Sequence, residues 1–495
     1  MKLTQLIINY SAALLFYIDG GIFLKKYWFL FVTLLFISLA ACDLTDAKNE
    51  TNDIEEKDLS QFQPEGVPPG SESNYNISLK MNEKETFTIE ADIQVRNVSE
   101  DNWETLEFYF IPNMFTAENS RSLEKPATLD IDKVVLNGEA ADYTLKEDNL
   151  SIELKEELIP EETIDVKFLY SFTLPEEGLR FTKNNSSFYL AQWYPMVPTY
   201  RNGWNKEAFA FKGETYHTPY SNFEINYDIP EAYTVITTSE QDEFPSKNNN
   251  TLTAEQVKEF FIAIIDEPTM IEKKVGETSI RVFSLEDDAE KNDELTEVAA
   301  SAFKYFEDKI GPYPFEELDV ILDELGMEYP GVVTAGSIYN KGNLSTSALK
   351  QVVVHEIAHQ WFYGMISNDP YHDPWLDEGI TQFATFLFLS EYEGLDFDFT
   401  EEERYAELEL PVNLSLNEYP PGERSSSYIY GKSSFMLGRL FQEQGGKEEA
   451  ESFLRDYFKM YQHKEVNTEE FIRFMEFYFD FDDRSVFDGW LEEED

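Results

Sequence analysis

The hydrophobic period of this chain changes once, near residue 285, and no single sheet or single helical bundle accommodates both halves. From about residue 75 the period is two: Phe87, Ile89, Ala91, Ile93 and Val95 share one side of a strand while Thr88, Glu90, Asp92 and Gln94 take the other. Ile164, Val166, Phe168 and Tyr170 repeat the alternation, and Asn137-Gly138 between two strand-like runs marks a hairpin. Beyond Asp287 the apolar residues recur at helical spacing, with Leu295, Val298, Ala299, Ala302, Phe303 and Phe306 on one side and Gly311-Pro312 as the stop. A short apolar strand over 318–322, a helix over about 347–365, a loop through Asn368-Asp369-Pro370 and further helices follow. The class predicted is α+β multidomain: a β-rich unit over 75–285, then a mostly α unit over 286–495. A chain of 495 residues has room for both, at roughly 150 residues per domain.

Residues 1–41 read as a signal region. Lys25 and Lys26 precede an apolar stretch from Tyr27 to Ala41, and small residues then lead to Cys42, which is the charged, apolar and small-residue order of secretion. Asp19, Gly20 and Gly21 interrupt a second apolar stretch ahead of the lysines, so the true start is expected near residue 24, with an N-terminal membrane hairpin as the alternative. Leu39-Ala40-Ala41-Cys42 resembles the bacterial lipobox, which implies a lipid anchor on Cys42 and an extracytoplasmic protein held at the cell membrane. Residues 42–74 are polar and acidic with several prolines, too poor in apolar surface to fold, and read as a tether.

Charge narrows the partners. Lys and Arg number 39 against 96 Asp and Glu, a net −57 at pH 7, and that field repels nucleic-acid phosphates. The single cysteine excludes an intrachain disulfide.

The chemistry sits in the helical half. Residues 355–359 read His-Glu-Ile-Ala-His behind Val352, Val353 and Val354, so the segment is a buried helix. Histidines four apart share one helical face and can hold one Zn²⁺, while Glu356 faces the open coordination position as the base for a water. A catalytic zinc needs a third protein ligand, and Glu378 offers a carboxylate at the start of the next apolar helix. Among 96 acidic residues only its position distinguishes it.

His-Glu-x-x-His, eighteen residues and a Glu, with Trp361 after the second histidine and Trp375-Leu376-Asp377-Glu378-Gly379 around the third ligand, resembles the aminopeptidase N and leukotriene hydrolase family. Gly326-Met327-Glu328, Tyr313-Pro314-Phe315 and Tyr430-Gly431-Lys432-Ser433 extend the resemblance over about 285–495. It implies a saddle-like β domain ahead of a thermolysin-like catalytic domain. It further implies that His355, His359 and Glu378 bind one zinc per chain, that Glu356 is the general base, that Tyr430 stabilises the oxyanion, and that Glu328 binds the free α-ammonium of a peptide. Gln192, before Trp193-Tyr194-Pro195, is the candidate for a second contact to that amine. Tyr329 stands where the family commonly has Asn, as does Asp377. His217, His372 and His463 read as surface or satisfied core residues, and Lys432 reads equally as structural.

Three functions fit these residues: a membrane-tethered zinc aminopeptidase acting on peptides, a zinc endopeptidase or other zinc hydrolase, and a lipoprotein that binds peptides without cleaving them. Oligomeric state and side-chain preference leave no trace in the sequence.

Overall fold

The computed structural model describes residues 57–211, 213–323, 326–336, 344–399 and 403–492. The signal region, the start near residue 24 and Cys42 lie outside the described residues.

The alternating half builds a seven-stranded sheet in the order Asn249–Val257, Ser221–Asp228, Ser71–Met81, Phe87–Asn97, Thr163–Thr173, Thr128–Leu136, Glu139–Ala140. Phe87, Ile89, Ala91, Ile93 and Val95 are buried, as are Ile164, Val166, Phe168 and Tyr170, so the alternation seen in the sequence is the inward face. That face packs on a second sheet containing Trp103–Tyr109 and Asn149–Leu158, where Phe108 meets Phe168 edge-on at 5.2 Å. Leu136 pairs with Glu139, closing the expected Asn137-Gly138 hairpin.

A four-stranded sheet of Tyr233–Thr237, Ile262–Asp266, Ser187–Leu190 and Phe181–Asn184 carries the β-region to the other half. Tyr189, Ala191, Phe261 and Ala263 share one apolar cluster with Ile321, Met327, Tyr329 and Val332. Change of period and change of sheet partner fall at different places. Thr269–Val275 and Thr278–Ser284, which read as the end of the β-rich unit, pair onward with Glu317–Leu322 and Val332–Ala335 in the sheet of the helical half.

Helix α1 (Ala289–Lys309) lays Leu295, Val298, Ala302, Phe303 and Phe306 on the main core. Helix α2 (Thr346–Ala358) starts at Ser345, whose hydroxyl accepts from the Ala348 N–H. Helix α3 (Pro374–Glu393) begins with a proline in its first turn and ends at Gly394 in the left-handed region.

Two expectations are corrected. Residues 57–74 are not a free tether: Leu59 and Phe62 are buried in the helical core, the Arg473 guanidinium lies 4.3 Å from the Phe62 ring, and the Val67 N–H donates to the Glu465 carbonyl. Two apolar side chains and a receptive helix suffice where composition averaged over the segment suggests disorder. The second correction is that α2 ends at Ala358, not near Met365. The chain turns back at once, with the Gly364 N–H donating to the His359 carbonyl and a two-residue strand at Ile366–Ser367.

Candidate metal centre and cleft

His355 lies one turn before the end of α2 and His359 caps it, so both imidazoles leave the same face. Glu378 comes from the second turn of α3, which packs beside α2. The next residue, Gly379, has no room for a side chain: a Cβ there would lie 2.4 Å from Ser433 Oγ and 2.9 Å from the Ile429 carbonyl oxygen. That close approach brings the π-helical turn Ser427–Lys432, and with it Tyr430, against Glu378.

Three atoms converge. His355 Nε2 and His359 Nε2 are 3.1 Å apart, and Glu378 Oε2 lies 3.2 Å from each. Ligands about 2.0–2.1 Å from a tetrahedral zinc stand roughly 3.3 Å from one another, so this triangle would fit one face of a zinc tetrahedron. The donor set, two imidazoles and a carboxylate, suits the same ion.

Surrounding groups tune each donor. Burial pushes His355 down to about 4 against its hydrogen bond to Glu378, leaving a neutral imidazole with a lone pair to give. His359 Nδ1 lies 2.8 Å from Asp377 Oδ1, 3.0 Å from the Phe362 carbonyl oxygen and 3.1 Å from Thr381 Oγ1. A proton on Nδ1 is thereby favoured, which turns Nε2 toward the metal position. Burial raises the Asp377 carboxyl to about 7 although His359 opposes it.

Glu356 is buried and outside the triangle; its Oε1 is 3.1 Å from where a Cβ on Gly326 would stand, so a side chain there would crowd that carboxylate. Burial raises it to about 8, with His359 pulling down and Glu378 and Asp377 pushing up. Tyr430 donates its phenol to Glu378 Oε1, and its ring stacks 5.9 Å from that of His355.

Glu328 is buried and held well above the usual carboxylate range, first by burial and then by Glu214, with His359 opposing. Glu214 and its ion-pair partner Arg180 carry no motif, and sequence reading passed over both. Glu214 also raises Glu356 and Asp377, so a β-region carboxylate adds to the negative potential around the site. Gln192 is 1% exposed in a left-handed conformation, φ 52°, with its Nε2 buried and without a hydrogen-bond partner, and the adjoining Ala191 packs with Met327 and Tyr329. Tyr329 stacks on Phe261 at 3.9 Å, so the departure from asparagine is spent on packing the two halves together. Lys432 donates to the carbonyls of Leu408, Leu410 and Gly489 and is structural. His217 is buried with Nε2 2.9 Å from Glu465, but its Nδ1, like that of His463, is buried without a hydrogen-bond partner, so neither is a fully satisfied core residue; His372 is exposed.

Fold and donors define a class, a β-region joined to a helical unit that holds a two-histidine, one-glutamate zinc site. Residues 295–490 match the Peptidase family M1 domain, which bears out the resemblance drawn from the motifs. The chain is 30% identical over 210 residues to leukotriene A-4 hydrolase of Xenopus laevis, covering 38% of this chain and 34% of that protein. It is 26% identical over 215 residues to aminopeptidase B of Homo sapiens, covering 38% and 31%. The chain thus spans about a third of the length of the curated relatives it matches. A mutant of the M1 zinc metallopeptidase of Deinococcus radiodurans shares the fold at a TM-score of 0.60 and 17% identity, over 86% of this chain and 94% of that one. A two-domain M1 zinc metallopeptidase mutant bound to L-tryptophan gives 0.56 at the same identity, over 84% and 93%.

Proposed function

We propose that the protein is a zinc aminopeptidase acting on peptides. The observation that carries this reading is that Glu356 and Tyr430 adjoin the donor triangle, with the buried Glu328 near enough to feel the charges of His359, Glu356 and Glu378. A peptide-binding protein needs neither a base nor a phenol donor there.

Zinc, when bound, supplies a Lewis acid that polarises a carbonyl and makes a water more acidic. The chain supplies the rest. Glu356 Oε1 takes the proton of the attacking water and returns it to the leaving amine nitrogen. The Tyr430 hydroxyl exchanges its bond to Glu378 for one to the substrate oxygen that gains charge. That donation is made only as the charge develops, so it lowers the barrier without tightening ground-state binding. Glu328 holds the α-ammonium, and Glu214 adds negative potential beside it. A related M1 structure is described as bound to a Tyr-Ser-Ala substrate, which supports peptides as the class.

The reading extends to a lipid anchor on Cys42 and an extracytoplasmic, membrane-held protein. Its support is the order of residues 25–42. Among the described residues no helix is long and apolar enough to cross a membrane. Mass spectrometry of the mature N-terminus, with Cys42→Ala fractionation, tests the anchor; residues 1–23 still attached would defeat it.

The decisive assay pairs free and N-acetylated aminoacyl fluorogenic substrates, with and without a chelator. Cleavage of free-amine substrates alone, lost on chelation and restored by zinc, is expected. Equal cleavage of acetylated substrates makes the protein an endopeptidase, and zinc binding without cleavage makes it a binding protein. Glu328→Ala should narrow the preference for free amines, and Tyr430→Phe should lower kcat by about two to three orders of magnitude with KM little changed.

A further inference from the structure

The turn after α2 is gripped by two consecutive residues of the β-region. Lys258 Nζ donates to Ser367 Oγ at 2.7 Å and also to the Thr218 carbonyl, both buried. Glu259, 1% exposed, accepts from the Tyr363 hydroxyl and from the Tyr216 hydroxyl, each at 2.6 Å on Oε1. Tyr363 follows the residue whose carbonyl lies 3.0 Å from His359 Nδ1. Its backbone φ is 129°, a conformation L side chains rarely adopt and one that persists only where surroundings hold it.

Turn geometry leaves little slack. The Gly364 N–H donates to the His359 carbonyl at 2.9 Å, the Tyr363 N–H to the Ile366 carbonyl at 2.9 Å, and the Ile366 N–H to the Trp361 carbonyl at 3.0 Å. Gly364 itself lies against Gln360, where a Cβ would meet the carbonyl oxygen at 2.7 Å. A displacement of Tyr363 is passed to the Phe362 carbonyl, and from there to the tautomer and tilt of the His359 ring.

We propose that Glu259 is a positioning residue for the metal centre: it pins Tyr363, and through the 359–367 turn it sets the His359 imidazole toward the metal. The β-region thereby contributes to zinc affinity without touching the ion. This rests on His355, His359 and Glu378 being the zinc site.

Zinc affinity of the full chain, measured by competition with a chromophoric chelator, is the test, with melting of the metal-free forms as a check on folding. Tyr363→Phe keeps the ring and removes only the phenol donor. It should weaken zinc binding about tenfold, as Glu259→Leu should, while Glu259→Gln, whose amide oxygen still accepts, should lose less. The double variant Tyr363→Phe/Glu259→Leu should bind no more weakly than either single variant, because both act through one bond. A Tyr363→Phe affinity within about twofold of wild type overturns the proposal, as do losses that add in the double variant. A merely structural role would lower melting temperatures and leave zinc affinity unchanged. Should Glu259→Leu fail to fold, Tyr363→Phe and Glu259→Gln still decide. A wild-type chain that binds no zinc defeats the site itself, whereas tight wild-type binding with an unaffected Tyr363→Phe defeats only the role of Glu259.

Discussion

Among the described residues two groups of side chains bring three donor atoms within 4.8 Å of one another, His355 with His359 and Glu378, and Asp242 with Glu317 and Asp319. The second is more acidic than the first, yet it already contains its cation. Arg281 Nη2 lies 2.5 Å from Asp242, 2.7 Å from Glu317 and 2.5 Å from Asp319. Its guanidinium meets Asp319 with two nitrogens. The first group holds no arginine or lysine among its donors: an imidazole kept neutral by burial, a second that, against burial, Asp377 and Glu378 raise well above the usual histidine value, and a carboxylate. Clustering of donors is common to both; what separates the two is that a guanidinium sits among all three carboxylates of the second. Location follows function. The arginine cluster joins Asp242 of the β-region to the sheet of the helical unit, while the zinc triangle lies between α2 and α3.

Breaking the first group should have the largest effect. His359→Ala removes one of three donors and should abolish stoichiometric zinc, read by metal analysis of the purified chain; full occupancy would place the ion elsewhere. Glu356→Gln leaves the triangle intact, so zinc should be retained at one per chain while turnover falls by about three to four orders of magnitude. Activity near wild type in that variant would remove Glu356 as the base.

Breaking the second group should cost stability and no zinc. Arg281→Met strands two buried carboxylates, Asp242 and Asp319, and the half-buried Glu317, and should destabilise by about 3–5 kcal/mol in denaturant unfolding. If the guanidinium stands where a cation would, added calcium should raise the melting temperature of Arg281→Met more than that of wild type. An equal response in both would mean that charge alone does not distinguish the two groups.

The smallest effect sharpens the comparison through pH. Burial raises Glu317 to about 10 and Asp319 to about 7, each with a neighbouring carboxylate adding and Arg281 opposing, and Asp242 is raised as well. A carboxyl raised on folding holds its proton more tightly in the folded chain. Its contribution is therefore full below the unfolded value near 4 and is lost as pH rises toward these folded values. Glu317→Gln removes the highest of them, so the fall in melting temperature between about pH 6 and pH 9 should be smaller in the variant, with zinc content unchanged. An identical fall would show that the cluster does not titrate as a unit.

Legibility in the sequence followed the range of the contacts. Phe87 to Val95 and Leu295 to Phe306 announce their burial because strand and helix periods are local, and His355, Glu356 and His359 lie within five residues of one helix. Glu378 was legible through spacing shared with a family, as were Tyr430 and Glu328. Glu214, Arg180 and Glu259 carry no periodic or motif signal and are recognised only by what they meet. The end of α2 at Ala358 was equally hidden, since the turn that closes there is held from the β-region through Lys258 and Glu259.

What the sequence determined by itself is the order of two units, the pair of histidines on one helical face and the glutamate beside them, because each depends on residues near in the chain. Which carboxylates surround an arginine and which surround a metal position, and which β-region residues hold the metal-bearing turn, only the tertiary structure decided. Those choices rest on distances between residues as far apart as Glu259 and Tyr363 or Asp242 and Asp319. Burial then multiplies the effect of such contacts, since a charge in low dielectric must find its partner wherever the fold places one.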